Sequence, residues 1–407
     1  MVVEVLGLVV IFMAAYGLWE YVGHMRRLRS IPLRIHVNGT RGKSSVTRLI
    51  AAGLRAGGIR TMAKTTGTLP RIIDLEGKEV PIIRDRRANI IEQVKIVRYF
   101  AKRKPEAIVV ECMAVLPELQ WFCEHKLIRS HIGVITNARL DHINEMGRFR
   151  EMVARSLANT IPRPRVTDGK AKIRGKEIPF ALFTSEKTNF KIFKEIAEAR
   201  GIQVQRVGGQ GITNEDLKRF SYIEHPANIG LALAVCEHIG VKREVALEGM
   251  IKCHPDPGAL KLARCQNDGK ELLFVNAMAA NDPESTLEIY RQITERFSPL
   301  GTLIVLLNSR ADRQDRSIQL IEMATSHMQF DHFVLTGENM HRFYLFLLRF
   351  NVPREKIVGI GWVAPEKVYE RLFSLVEGKG TVFAMGNVGA GGLDIYHYFY
   401  KHRSTDQ

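Results

Sequence analysis

The sequence predicts an α/β chain in three parts: an N-terminal transmembrane helix, a domain built on a mostly parallel sheet, and a smaller C-terminal α/β domain. Three observations lead there. Val5 to Leu18 is apolar and uncharged, and the short apolar run Leu33 to Val37 passes through a glycine-containing loop into a helical pattern over Val46 to Leu54. β-rich runs then alternate with helical ones along most of the 407 residues. That alternation favours a parallel sheet covered on both faces.

The N-terminal stretch Val2 to Tyr21 is about 30 Å long as a helix, enough to cross a bilayer. Glu4 and Glu20 bracket it, Tyr16, Trp19 and Tyr21 stand where interfacial aromatics sit, and a basic cluster, Arg26, Arg27 and Arg29, follows. Positive charge after the span predicts an outside N-terminus and a cytoplasmic body, a single-pass protein of the cell membrane. A cleaved signal peptide has its positive charge before the apolar run, the reverse of this order. The boundaries expected are 1–24 for the anchor, 25–32 for a basic linker, 33–265 for the first domain and 271–407 for the second.

Composition narrows the class. The 59 Lys and Arg against 43 Asp and Glu give a net charge of +16, which suits a nucleotide, anionic lipid, nucleic acid or an acidic substrate. Five cysteines, Cys112, Cys123, Cys236, Cys253 and Cys265, are odd in number and widely spaced, which excludes a disulfide framework and indicates a reducing compartment.

Within the first domain, Asn38-Gly39-Thr40-Arg41-Gly42-Lys43-Ser44-Ser45 joins the first strand to its helix. Glycines let the backbone approach phosphates, the helix N-terminus supplies amides, Lys43 can reach the terminal phosphates, and Ser44 can ligate Mg²⁺. This makes the first domain a P-loop ATPase domain, with one departure: Val37 stands where the general pattern has its first glycine.

Further strands are expected at Ala107 to Val110 and Ile132 to Thr136, with helices around Ile90 to Ala101, Leu116 to Leu127, Ala227 to Ile239 and Val245 to Ile251. Glu111 and Asp141-His142 then follow strand ends, where open α/β sheets bind ligands. Mg²⁺ takes hard oxygen ligands, so Glu111 is a candidate metal ligand; the case for His142 rests on its company. From Glu271 the alternation resumes with strands near Leu272 to Val275, Leu303 to Leu307, His332 to Leu335, Ile357-Val358 and Thr381 to Phe383, and with helices near Pro283 to Phe297, Ser317 to Met328 and Glu366 to Val376.

The segments Val37 to Ser44, Lys64-Thr65-Thr66-Gly67-Thr68, Glu111 to Val115, Asp256-Pro257-Gly258-Ala259 and Ala279-Ala280-Asn281-Asp282 together resemble the catalytic subunit of poly-γ-glutamate synthase. That family is similar to the Mur ligases and folylpolyglutamate synthases. The resemblance runs over nearly the whole chain. It implies ATP and Mg²⁺, and amide formation between the γ-carboxylate of a growing polyglutamate chain and the amine of the next glutamate.

Carried over residue by residue, the resemblance gives Lys43 and Ser44 to ATP·Mg²⁺, with Thr66 and Glu111 beside them at the metal. It further gives His142 to a second Mg²⁺ and Asn228 to the adenine, and Lys261, Asp312 and Arg313 to the nucleotide from the second domain. Lys43, Glu111 and His142 are the implied catalytic residues. Small membrane subunits of a synthase and export complex are implied partners, nucleic acid is not, and a homo-oligomer is left open. Lys261 stands where the family tends to carry arginine, and nothing in Lys170 to Lys187 matches the carbamoylated lysine common among Mur ligases. Alternatives are another Mur-like amino-acid ligase or a P-loop ATPase that powers transport.

Overall fold

The computed structural model describes residues 2–404, apart from 67–69, 85–87, 166–169, 221, 223, 256–260, 279, 281 and 298–300. The chain divides into two compact units, 1–257 and 258–407.

The first unit opens with helix α1, Val2–Arg29, which continues without a break through residues 25–29 of the stretch 25–32 expected to form a basic linker. Strands then follow in chain order as β1 (Leu33–Asn38), β2 (Thr61–Thr65), β3 (Arg71–Ile73), β4 (Glu79–Pro81), β5 (Ala107–Glu111), β6 (Ile132–Ile135), β7 (Ala171–Ile173), β8 (Lys176–Ile178), β9 (Ala181–Thr184) and β10 (Gln203–Arg206). Eight of them make one sheet in the order β10-β9-β6-β1-β5-β2-β3-β4, and β7 and β8 form a separate hairpin. β1 pairs in parallel with β5 on one side and β6 on the other, which puts a switch point at its carboxyl end.

The core strands are buried on both faces: β5 reads as an apolar run up to Glu111, whereas β1 alternates apolar residues with Arg34, His36 and Asn38 and buries all six. Helix α2, Lys43–Ala56, buries Val46 to Leu54 against helices Pro226–Ile239 and Arg243–Ile251. Helix α3, Glu92–Ala101, turns Ile96, Val97 and Phe100 inward onto a cluster that also holds Met25, Leu28 and Ile31 of the α1 end. The segment expected as one helix over Leu116 to Leu127 is a short α-helix, Pro117–Phe122, that widens into a π-helical turn, Cys123–Ile128.

Two buried polar groups organise this core. The Arg34 guanidinium on β1 donates to the carbonyls of Leu28, Ile31, Ile128 and Arg129, so its charge closes the C-terminal ends of both α1 and the π-helical turn. His36, two residues on, places Nδ1 2.8 Å from the Glu124 carboxylate. Burial alone would lower the His36 pKa, but hydrogen bonds with the Cys112 sulfur and Glu124 hold it up at about 9, while the imidazole keeps the Glu124 carboxyl low. A buried ion pair therefore sits beneath the sheet edge.

The second unit has one six-stranded sheet. It comprises β11 (Lys261–Asn267), β12 (Lys270–Asn276), β13 (Thr302–Ser309), β14 (His332–Gly337), β15 (Ile357–Gly361) and β16 (Lys379–Gly386), in the order β11-β12-β16-β13-β14-β15. All neighbours are parallel except the β11–β12 hairpin. That hairpin corrects the expected boundary: Lys261 to Cys265, assigned to the first domain, pairs from Lys261↔Asn276 onward with β12 and belongs to the second sheet. Helices Met340–Arg349 and Gly392–Lys401 complete the unit, neither of them expected.

Candidate nucleotide site

Because β1, β2, β5, β6 and β9 run in parallel, the loops that leave them meet at one edge of the first sheet. The loop after β1 turns at Gly39 (φ +131°) and Gly42 (φ +80°), both in the left-handed region that favours glycine. Neither has room for a side chain. A Cβ on Gly39 would collide with Thr136, and one on Gly42 would lie 2.7 Å from the Asn228 carboxamide oxygen. Gly42 caps α2 without any side-chain hydrogen bond, so the first-turn amides of Lys43, Ser44 and Ser45 have no acceptor within the helix.

The loop after β6 braces this turn. Asn137 Oδ1 accepts from Thr40 Oγ1 at 2.6 Å and from the Arg41 amide at 3.2 Å, and its Nδ2 donates to the Arg41 carbonyl. Thr136 Oγ1 donates to the same carbonyl at 2.5 Å. The amides of Thr40 and Arg41 are thus engaged with Asn137, and anion binding falls to the helix end from Gly42 onward. Lys43 Nζ is half-buried over the loop and donates to the carbonyls of Gly39 (2.6 Å) and Thr40 (3.3 Å).

At the end of β5 the Glu111 carboxylate, 2% exposed, accepts from Ser44 Oγ at 2.8 Å and from the Thr66 amide at 2.7 Å. One oxygen therefore joins the loops after β1 and β2. Among the described residues, buried Thr65 Oγ1 finds no hydrogen-bond partner. A carboxylate and hydroxyls are the hard oxygen donors that Mg²⁺ takes, so the residues present fit that ion. Among the described residues no three His, Cys, Asp or Glu side chains converge as a metal cage.

The other expected residues divide. His142, with φ +49°, lies on the loop after β6, its ring 3.9 Å from the carboxylates of Asp141 and Glu145, and Asp141 also pairs with Arg41 at 3.2 Å. Asn228 reaches the loop from the first turn of its helix. Asn38 does not offer its side chain to the loop: its amide donates inward to Gln120 and Thr160, so only its backbone belongs to the edge. Gly67, Thr68, Asp256 to Ala259, Ala279 and Asn281 lie outside the described residues. Lys261, Asp312 and Arg313 belong to the second unit, where Lys261 opens β11 and the other two form a 3-10 turn after β13. Asp312 pairs there with Arg310 at 2.8 Å.

Three features escaped the sequence reading. Glu224 is buried and accepts from Asn228 Nδ2 at 2.8 Å, which orients that carboxamide; burial raises its pKa, against hydrogen bonds from Asn228, His225 and Ser45. Its four-residue spacing from Asn228 was the available signal. Lys64 is fully buried with Nζ 2.9 Å from Glu92, and Arg84 grips the same carboxylate. Burial lowers the Lys64 pKa against the attraction of Glu92 and Glu111. In the second unit, β16 leads through Asn387 to Gly391 into helix Gly392–Lys401, another glycine-rich strand, loop and helix.

Comparison with known proteins bears on this geometry. The chain is 35% identical over 388 residues to the capsule biosynthesis protein CapB of Bacillus anthracis, covering 94% of this chain and 80% of that one. It is 33% identical to the PGA synthase CapB of Bacillus subtilis, covering 95% of both. The chain belongs to the CapB family. The family model for the poly-gamma-glutamate synthase CapB C-terminal domain matches residues 262–402, and that for the Mur ligase middle domain matches 37–158. CapB-family membership makes the chain an ATP-dependent amide ligase.

Solved structures share the fold. Escherichia coli FolC in complex with DHPP and ADP superposes with a TM-score of 0.68 at 14% identity, over 93% of this chain and 92% of that one. Mycobacterium tuberculosis folylpolyglutamate synthase complexed with ADP and AMPPCP does so with a TM-score of 0.67 at 16% identity, over 95% and 96%.

Proposed function

We propose that the chain extends poly-γ-glutamate: it activates a γ-carboxylate with ATP as an acyl phosphate, releases ADP, and joins the carbonyl to the amine of the next glutamate. The observation that carries this reading is the Glu111 carboxylate tying Ser44 to Thr66 at the mouth of a glycine loop, in a chain related to CapB proteins over nearly its whole length.

A carboxylate resists an amine because its leaving group would be oxide, and phosphorylation supplies a better one. γ-Phosphoryl transfer needs positioning and charge neutralisation more than a protein nucleophile. The α2 amides and Lys43 would bind the β- and γ-phosphates, with the Lys43 ammonium turning from the Gly39 and Thr40 carbonyls to the phosphate oxygens. Ser44, Thr66 and Glu111 would hold Mg²⁺, with His142 the candidate at a second ion; the bound metal neutralises charge on the phosphates. Asn228, fixed by Glu224, would face the adenine, and Lys261, Asp312 and Arg313 are the second unit's candidates for nucleotide contact. After phosphorylation, the amine nitrogen attacks the acyl carbon, the C–O bond to phosphate breaks, and the amine gives up a proton.

An 18-residue window of helix α1 has a mean hydropathy of 1.8 and none of it is buried, which supports a single membrane span, and the arginines after it support a body on the cytoplasmic side. An extracellular polymer made inside needs an export route, so small membrane subunits are the partners this reading assigns.

The test is ADP release by the full-length protein with and without glutamate and a poly-γ-glutamate acceptor. Glutamate-dependent release is expected, with Lys43→Ala and Glu111→Gln each lowering it by at least about 100-fold. Turnover indifferent to glutamate but stimulated by a transported solute would overturn the reading in favour of a transport ATPase.

A further inference from the structure

Helix α1 is not tethered to the body by a flexible linker. From Glu20 onward it is built into the first unit: Tyr21 Oη accepts from Arg129 at 3.1 Å, His24 Nε2 lies 3.0 Å from the Leu127 carbonyl, and Glu20 stands 3.8 Å from Arg98. Met25, Leu28 and Ile31 are core residues, and Arg34 closes the helix end. The exposed apolar part, Val3 to Trp19, is about 26 Å long at 1.5 Å per residue, no longer than the hydrocarbon core it would cross. There is no slack. A span seated in a bilayer puts Glu20 and Tyr21 at head-group depth and brings the flanking surface of the body with them.

That surface is basic. On α3 and its C-cap, Lys95, Arg98 and Lys102 share the exposed face at spacings of three and four residues, on the side where Arg98 meets Glu20. Just beyond the π-helical turn Arg129 donates to Tyr21, and on the turn Lys126 lies 5.8 Å over the half-exposed Trp121 ring, an indole suited to the interfacial layer. Glu20 is the carboxylate of α1 at this level. We propose that this face, on both sides of the α1 exit, docks the catalytic body onto the anionic phospholipid head groups of the bilayer that α1 enters. The inference rests on reading α1 as a span. A bilayer is favoured over an acidic protein because the helix itself fixes the depth at which these cations lie. Docking would hold the body at one orientation instead of letting it swing.

The test uses the full chain with Cys253→Ser and a bimane label on Lys102→Cys, reconstituted into vesicles of phosphatidylcholine alone or with phosphatidylglycerol. Both vesicle types carry a nitroxide on a fraction of the choline head groups. Quenching of the label is expected to be severalfold stronger with phosphatidylglycerol, to weaken in high salt, and to lose its lipid dependence when Lys95→Glu and Lys126→Glu are added. A label on Lys194→Cys, on the helix beside edge strand β10, should stay unquenched in both. Quenching at position 102 that is equal in the two vesicle types, or no greater than at 194, would overturn the docking face and leave the basic surface to a protein partner. Extraction of the whole chain by alkaline carbonate would instead overturn the membrane span itself, so the two failures are distinguishable.

Discussion

At the scale of single residues, the site depends as much on a bracing asparagine as on the lysine that marks the motif. Asn137 satisfies three polar groups of the loop with one carboxamide, beside the single bonds that Thr136 gives the Arg41 carbonyl and Lys43 gives the Thr40 carbonyl. Asn137→Ala leaves every candidate ligand in place and removes only that brace. It is expected to lower stability by about 2 kcal/mol, at roughly 1 kcal/mol per net hydrogen bond with partial rescue by water. The KM for ATP should rise more than kcat falls, because the damage is to a binding surface. Thermal melting together with steady-state kinetics checks this, and an unchanged KM would mean that the loop holds its shape without Asn137.

The element of greatest consequence is the central strand β1, whose side chains reach both helix ends below the site. Its His36 pairs with Glu124 in the π-helical turn, and the linkage has a definite sign. The His36 pKa is about 9 in the folded protein against the ordinary 6.5, so the stability it contributes is full below about pH 6.5 and is lost as pH rises through about 9. The Glu124 carboxyl, held low by the same partner, loses its contribution only as pH falls below the ordinary carboxylate range. The melting temperature should therefore decline between about pH 7 and about pH 9.5. Glu124→Gln should lower it at neutral pH by the equivalent of about 3 kcal/mol and flatten the alkaline slope, since it leaves a buried imidazole without its counter-charge. A wild-type melting curve flat across that window would refute the ion pair.

For the molecule as a whole, the excess of positive charge fits a polyanionic acceptor that stays near the enzyme between additions. Long-range attraction of that kind is screened within about 10 Å at 0.1 M salt. With poly-γ-glutamate as acceptor, KM should rise steeply between about 0.05 M and about 0.5 M salt, whereas the KM for ATP, which the proposed site would hold in a part-buried loop, should change little. Parallel titrations of the two substrates in KCl check the contrast, and equal salt sensitivity would remove the charge argument.

Much of this was legible in the chain. The apolar N-terminal run, the strand, glycine loop and helix, and the later β/α alternation each rest on local pattern, because backbone sterics and helical periodicity act over a few neighbouring residues. That Lys43, Ser44 and Glu111 lie together beyond β1 and β5 follows from the same local signals, whereas the roles assigned to them and to Asn228 are proposals. Other features were not legible. That Asn38 turns inward and that α1 is clamped from Glu20 onward depend on partners up to 122 residues away in sequence, and that Lys261 to Cys265 join the second sheet depends on their hairpin with β12. Strand order and burial decide such pairings. The sequence by itself determined which elements form and which chemistry the loop can perform; only the tertiary structure decided which side chains face that chemistry and which instead hold up the core.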